Sequence, residues 1–215
     1  MVTMARFSAG KTSGYYSGIF CATEVAQEPL DSTDCEDVYE VERLVESKTR
    51  RGKTYYLVLW KGFPKEESFW VLSSDVTEFA KRMYENPCPG NRITMDSVSD
   101  LVAEIHKSLS KGLLKNNSFS LPFQRHVFNY LFQQRGKKVK NKPGRLYERS
   151  DFSSQYFSDD NFSYFNKEGE GCFVLFPIYM YSFVQFSHPH YDSAKNLCKR
   201  NFTETLRIKL VKSRS

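Results

Sequence analysis

Apolar and polar positions change their spacing several times along the chain, and each change marks an element. From Val38 to Val45 apolar residues recur in a strand-like way. Lys48-Thr49-Arg50-Arg51-Gly52-Lys53 then supplies a polar, glycine-containing turn, and Tyr55 to Trp60 is rich in aromatic and β-branched residues. Together they predict a β-hairpin. Gly62-Phe63-Pro64 breaks the second strand, and Ser68 to Leu72 predicts a short third one. Asp75 stands where an N-cap would precede a helix running to Tyr84, with Val76, Phe79, Ala80 and Met83 on one face. Asn86-Pro87-Cys88-Pro89-Gly90 cannot continue that helix and predicts a domain boundary near residue 90.

Beyond the boundary the period becomes helical. Val98, Leu101, Val102, Ile105, Leu109 and Leu113 fall at i, i+3, i+4 spacing, which predicts an amphipathic helix over Ser97 to Leu114, and Phe123 to Gln134 repeats the pattern. Cys172 to Phe186 and Phe202 to Val211 have strand composition, the latter alternating as Leu206, Ile208, Leu210. The first of these runs, interrupted by Pro177 and Gln185, is too short for a bilayer span of roughly 18 to 20 residues and predicts a buried strand pair. Residues 1–36 mix Gly, Ser and Thr without a period and read as a flexible arm. The expected organisation is an arm at 1–36, a small module at 37–86, a helical region at 87–134, a basic linker at 135–149 and a β-rich region at 150–215. The fold class is α+β: a three-stranded antiparallel sheet packed by a C-terminal helix, then an α+β basic tail.

Composition narrows the function classes. With 40% apolar and 26% charged residues the chain is globular rather than disordered. Its five cysteines are scattered without a CxxC pair, so neither a disulfide framework nor a zinc ribbon is expected. The N-terminus has no signal-peptide core, and no membrane association is expected. Gly10-Lys11-Thr12 lacks the upstream glycine of a phosphate-binding loop, and His188-Pro189-His190-Tyr191-Asp192 matches no familiar metal spacing; no metal or cofactor is expected. The net charge of +6 is unevenly spread: Ile105 to Tyr147 holds ten basic residues and no acidic one, whereas 37–86 balances nine against nine. Within that stretch Arg135, Lys137, Lys138, Lys140, Lys142 and Arg145 read as a nuclear-localisation signal or a phosphate-contacting patch for DNA or RNA, or as a merely solvated loop.

The residues VYEVERLVESKTRRGKTYYLVLWKGFPKEESFW, followed by SDVTEFAKRMYENP, resemble a chromodomain of the heterochromatin-protein and Polycomb type over about 50 of 215 residues. The resemblance rests on Tyr39 opening the first strand, the Trp60-Lys61-Gly62-Phe63 run, the acidic Glu66-Glu67 and Trp70. It implies an aromatic cage of Tyr39, Trp60 and Phe63 for a methylated lysine, on a histone tail and most simply that of H3. Methylation keeps the charge and removes N–H donors, so the negative faces of rings suit it better than carboxylates do, at roughly 0.5–2 kcal/mol per ring. The family also grips its peptide as an added β-strand, here between about Glu36–Val41 and Ser73–Val76, which assigns Val41, Asp75 and Glu67 to the peptide groove. Trp70 is expected in the core. Leu59, Phe69 and Val71-Leu72 depart from the family pattern and alter the surface around the groove.

These readings imply a non-catalytic, nuclear chromatin reader with weak DNA or RNA contact; oligomeric state is open. Two alternatives stand beside it. Trp-Val after the acidic loop also resembles the chromodomains of transposable-element integrases, so the chain would be a chromatin-targeting fragment of such an integrase or of another chromatin enzyme whose catalytic part is absent. A divergent chromodomain that binds nucleic acid through its sheet is the other. Residues 90–215 lack the cysteine-rich clusters and cofactor motifs of chromodomain methyltransferases, and no chromoshadow domain is recognisable there.

Overall fold

A computed structural model of the chain describes residues 4–6, 38–111, 116–132, 135–188 and 201–214. Most of the N-terminal arm lies outside them, as do Gly10-Lys11-Thr12, Leu113, Cys21, Cys35, Cys198 and the segment after His188. The chain divides into two compact units at Lys81/Arg82, with Lys65–Glu67 grouping with the second.

The first unit is an antiparallel sheet in the order β1-β2-β3-β4, formed by Met4–Arg6, Val38–Arg50, Lys53–Trp60 and Phe69–Leu72. Its three later strands, followed by helix α1 at Glu78–Glu85, are the expected module. The hairpin turn is tighter than the sequence suggests. Strand pairing runs to Arg50↔Lys53, and only Arg51 and Gly52 form the turn, both at positive φ (51° and 74°), the pair of conformations that matches strand twist in a two-residue loop. Lys48 to Arg50 are polar yet extended, because one face of a two-sided ribbon is free to be polar. The core beneath is Val41, Leu44, Val45, Leu57, Val58 and Leu59, all at most 5% exposed.

Two expectations need correction. Asp75 does not cap α1: it ends a 3-10 turn over Ser73–Asp75, Val76 follows in extended conformation, and the Thr77 hydroxyl accepts the Ala80 amide hydrogen at 3.3 Å. Trp70 is not in the core. It is half-buried, and the Lys48 ammonium lies 3.7 Å from its ring centroid; desolvation there, with the nearby Arg50 charge, pushes the Lys48 pKa down against the pull of Glu46.

The second unit is a two-layer structure. Helix α2 (Asn91–Ser110) and helix α3 (Arg125–Phe132) cover one face of a sheet. Its strands are β5 (Asn116–Pro122), β6 (Lys137–Lys138), β7 (Arg145–Tyr147), β9 (Gly171–Phe186) and β10 (Phe202–Arg214), in the order β5-β10-β9-β7-β6, with β8 (Ser163–Phe165) pairing β9. Val98, Leu101, Ile105 and Leu109 enter the core as the helical period predicts. The helix begins at Asn91 rather than Ser97, since buried Thr94 returns a hydrogen bond to the Gly90 carbonyl and starts a turn the apolar pattern does not mark. The run from Cys172 is one strand, not a pair: its even positions Val174, Ile178 and Met180 are buried while the odd ones face outward, and the alternation continues through Pro177, where the pairing with β10 shifts register between Lys209 and Val211. Phe132, Phe152, Phe157 and Phe162 cluster in this core, their rings meeting at centroid distances such as 5.0 Å for Phe152–Phe162. Among the described residues no helix is long and apolar enough to cross a membrane.

Lys212 ties the layers together. It is 7% exposed, and its ammonium donates to the carbonyls of Ser108 and Leu109 at 3.3 Å and to that of Lys111, supplying both charge and donors to the C-terminus of α2. At the other end of the same sheet the Glu204 carboxylate accepts the Arg125 amide hydrogen at 2.8 Å and holds the start of α3.

Candidate functional site

The rings expected to act together are brought together. Tyr39 lies at the start of β2, Trp60 ends β3 with its backbone opposite Val41, and Phe63 lies in the turn that follows. That turn is closed by the Phe63 amide donating to the Trp60 carbonyl at 3.2 Å and by Gly62 at φ 82°, a value that disfavours any side chain there. The Lys61 amide donates to the Glu40 carbonyl at 3.0 Å and its ammonium pairs with the Glu40 carboxylate at 2.7 Å, fixing the turn against β2.

Tyr39 meets Trp60 edge-on with centroids 6.1 Å apart at 72°, and Phe63 with centroids 6.0 Å apart at 80°. Tyr39 thus stands near a right angle to each of the other two rings, a corner rather than a stack, in which ring faces from different elements can be turned toward one cation. The walls differ in access. Phe63 is 41% exposed, Tyr39 half-buried, and Trp60 only 4% exposed. Phe69 accounts for part of that cover: its ring lies 5.2 Å from Trp60 at 38°. In sequence Phe69 is only a departure from the family pattern; in the structure it extends the ring cluster to four. The Trp60 indole N–H is buried with no hydrogen-bond partner among the described residues.

The groove residues are placed differently. Val41 is 2% exposed, so only its main chain can serve a peptide. Asp75 accepts the Ser74 hydroxyl at 2.7 Å, and Glu67 ends a 3-10 turn over Lys65–Glu67. The edge of β2 beside Tyr39 carries a strand already: β1 pairs antiparallel with it as Met4↔Glu40, Ala5↔Tyr39 and Arg6↔Val38. No sequence signal marks β1, whose three residues lie in a stretch without a period.

The basic run is structured rather than strung out. Lys137 and Lys138 pair with Leu146 and Arg145 as a hairpin on the edge of the second sheet, while Lys140 and Lys142 fall in its loop. Arg145 donates to the carbonyls of Arg135 (3.1 Å) and Gly136 (3.3 Å), and Arg135 donates to the Asp151 carbonyl at 3.0 Å. Those two arginines brace the loop, leaving the four lysines as its cationic surface. No group of three or more metal-ligating side chains occurs among the described residues.

Comparison with known proteins bears on the first unit. Residues 39–86 match the model of the Chromo (CHRromatin Organisation MOdifier) domain. The chain is 37% identical over 73 residues to M-phase phosphoprotein 8 of Mus musculus, covering 31% of this chain and 8% of that protein. It is 33% identical over 79 residues to the histone-lysine N-methyltransferase SUV39H2 of Gallus gallus, covering 31% and 19% respectively. It is 38% identical over 40 residues to heterochromatin protein 1 of Drosophila melanogaster, covering 19% of each. The chain thus spans less than a fifth of the length of these relatives. No solved structure matches it. With the hairpin, third strand, helix and ring corner all falling inside the matched span, residues 39–86 of this chain form a chromodomain.

Proposed function

We propose that the chain is a non-catalytic chromatin reader, nuclear in location, that binds a methylated lysine on a histone tail in the corner formed by Tyr39, Trp60 and Phe63. The observation that carries this reading is the near-perpendicular contact of Tyr39 with both other rings inside the span that matches the chromodomain model. The names of two relatives, a histone-lysine methyltransferase and a heterochromatin protein, agree with a chromatin partner. The peptide lies along the β2 edge as an added strand, holding by main-chain hydrogen bonds while the rings test the methyl groups. The lysines of the 137–142 hairpin supply nuclear entry and a weak, salt-sensitive contact with nucleic acid.

Titration of the full chain with trimethyl-, dimethyl- and unmethylated-lysine peptides of histone sequence tests the reading. Methylated peptides bind at least tenfold more tightly than unmethylated ones, and Phe63→Ala removes most of that difference. Phe63 is the suitable probe because it is exposed and its loss leaves the fold intact. Equal affinity for methylated and unmethylated peptides, or discrimination that survives Phe63→Ala and Tyr39→Ala together, would refute the cage.

A further inference from the structure

The helices cover only one face of the second sheet. The other carries a row of aromatic rings. Tyr179, Tyr181 and Phe183 alternate along β9 on the side opposite the buried Ile178 and Met180, and all three are half-exposed. Their ring centroids are 5.9 Å and 5.3 Å apart in succession. Aromatic side chains on a strand commonly point inward to a core; these point away from one.

The neighbouring strands set cations and small polar groups beside the rings. Across β10 the register pairs Tyr181 with Arg207 and Tyr179 with Lys209, and both cations are exposed. The Arg207 guanidinium lies 5.8 Å from the Phe183 ring centroid and the Lys209 ammonium 5.9 Å from that of Tyr179. Next out, β5 sets Ser120 opposite Arg207 and Ser118 opposite Lys209, and Arg207 Nε donates to the Ser120 hydroxyl at 3.1 Å. On the other side Leu146 stands opposite Tyr179 and Lys137 opposite Leu146. The Tyr179 hydroxyl accepts the Gly144 amide hydrogen at 3.1 Å, which fixes the ring at one end of the row.

Charge decides between occupants. Among the described residues of these strands no acidic side chain stands on this face; Glu204, in β10, faces the opposite way and is 5% exposed. No carboxylate pairs with Arg207 or Lys209 among the described residues. A protein partner or a second copy of this chain would need to bring its own carboxylates to satisfy three cations around an aromatic row. A single-stranded nucleic acid brings what the face lacks, a regular line of negative charge and flat bases that stack on rings. A duplex keeps its bases stacked on one another and offers them only at their edges.

We propose that the outer face of the second sheet is a binding platform for single-stranded RNA or DNA, with bases stacking on Tyr179, Tyr181 and Phe183 and phosphates met by Arg207, Lys209 and Lys137. The platform lies outside the chromodomain and does not depend on methyl-lysine recognition.

The test is fluorescence anisotropy of the full chain with labelled oligouridylate and oligothymidylate of about 12 nucleotides, a length within the range of one such site, and with a duplex of equal length. Single strands bind in preference to duplex. Tyr181→Ala weakens single-strand binding by roughly 5- to 100-fold, as loss of one stacking ring does elsewhere, while Tyr181→Phe, which keeps the ring, binds as the wild type does. Because Tyr181 faces away from the core, equal melting temperatures of the three proteins verify that folding is unchanged. Arg207→Gln with Lys209→Gln reduces the steepness of log affinity against log salt by about 1.4, at about 0.7 per phosphate contact on a single strand. Three outcomes would overturn the proposal: duplex bound as tightly as single strand, oligonucleotide binding indifferent to Tyr181→Ala, or no oligonucleotide binding together with self-association that Tyr181→Ala abolishes. The last would identify the face as an interface between copies.

Discussion

Strand β1 occupies the edge that the proposed peptide would use, so the arm and the peptide compete, and removing residues 1–10 should tighten peptide binding. The size of the effect follows from the pairing. Three residue pairs in an antiparallel ladder make two or three backbone hydrogen bonds, worth about 0.5–1.5 kcal/mol each, or about 1–4 kcal/mol together. Against this, joining Arg6 to Val38 closes a segment of 31 residues (7–37), at a cost of about 3 kcal/mol from (3/2)RT ln n. The two nearly cancel, so the strand is held with an equilibrium constant of order one. Strand pairing prevails where that constant is one or somewhat above. A binding-competent fraction between a half and a tenth reduces the apparent affinity by the same factor, so deletion should lower Kd by about twofold to tenfold. Isothermal titration with a trimethyl-lysine peptide measures it, on the full chain and the deletion, with Phe63→Ala in both backgrounds. An unchanged or raised Kd in the deletion, while Phe63→Ala still abolishes methyl discrimination, would show that peptide and β1 do not share the edge. Discrimination that survives Phe63→Ala and Tyr39→Ala together in both backgrounds would instead refute the cage.

Tyr147 is 2% exposed, and burial pushes its pKa up to about 12, with Arg145 pulling it down and Asp151 raising it again. Its folded pKa therefore lies above the ordinary value near 10, so its contribution is full below pH 10 and lost as pH rises from about 10 to 12, the unfolded chain giving up its proton first. Tyr147→Phe should flatten that part of the stability curve, measured as the difference between the two proteins in urea midpoints from pH 9 to 11.5. Lys212→Met keeps the buried stem but strands three carbonyls at the end of α2; a loss of about 2 kcal/mol is expected in denaturant unfolding of the second unit. Gly144→Ala would put a Cβ 2.5 Å from Tyr179 Cζ and 2.7 Å from the Met180 carbonyl oxygen. The backbone contact cannot yield by a side-chain rotation, so amide exchange in Lys137–Tyr147 should quicken while the first unit is unaffected.

What the sequence discloses depends on how local each signal is. The chromodomain hairpin, its third strand and the face of α2 are written in periods of two and 3.6 within single elements, and they are legible. The ring corner is legible only through resemblance, because Tyr39, Trp60 and Phe63 meet through strand register that no local pattern states. The same limit explains the platform: Tyr179, Tyr181 and Phe183 alternate visibly in a strand, but Arg207 comes beside Tyr181 and Lys209 beside Tyr179 only through the register of a later strand. Capping at Asp75 is a false local signal: a good N-cap residue type stands two positions before the residue that caps, Thr77, and the 3-10 turn that absorbs Asp75 has no composition of its own. Trp70, expected in the core, is open on one side whereas Trp60 is covered, since which face of a strand meets the core depends on packing rather than residue size.

The contrast between the units bears on how the chain would engage chromatin. The chromodomain, with nine basic and nine acidic residues over 37–86, has no net charge to draw it toward DNA. Discrimination by the proposed cage would come from rings and main-chain pairing, which salt barely screens. The second unit holds the acid-free basic stretch, the lysines of its edge hairpin and the cations of its aromatic face, so the nucleic-acid contacts proposed for it would weaken steeply with salt. Neither set needs to be strong. On one chain, a ligand held by one unit presents the other with a high effective concentration of the remaining partner, and modest affinities combine multiplicatively when both partners lie on the same chromatin fibre. Methyl-lysine recognition would then choose the location, and nucleic-acid contact would set how long the protein stays.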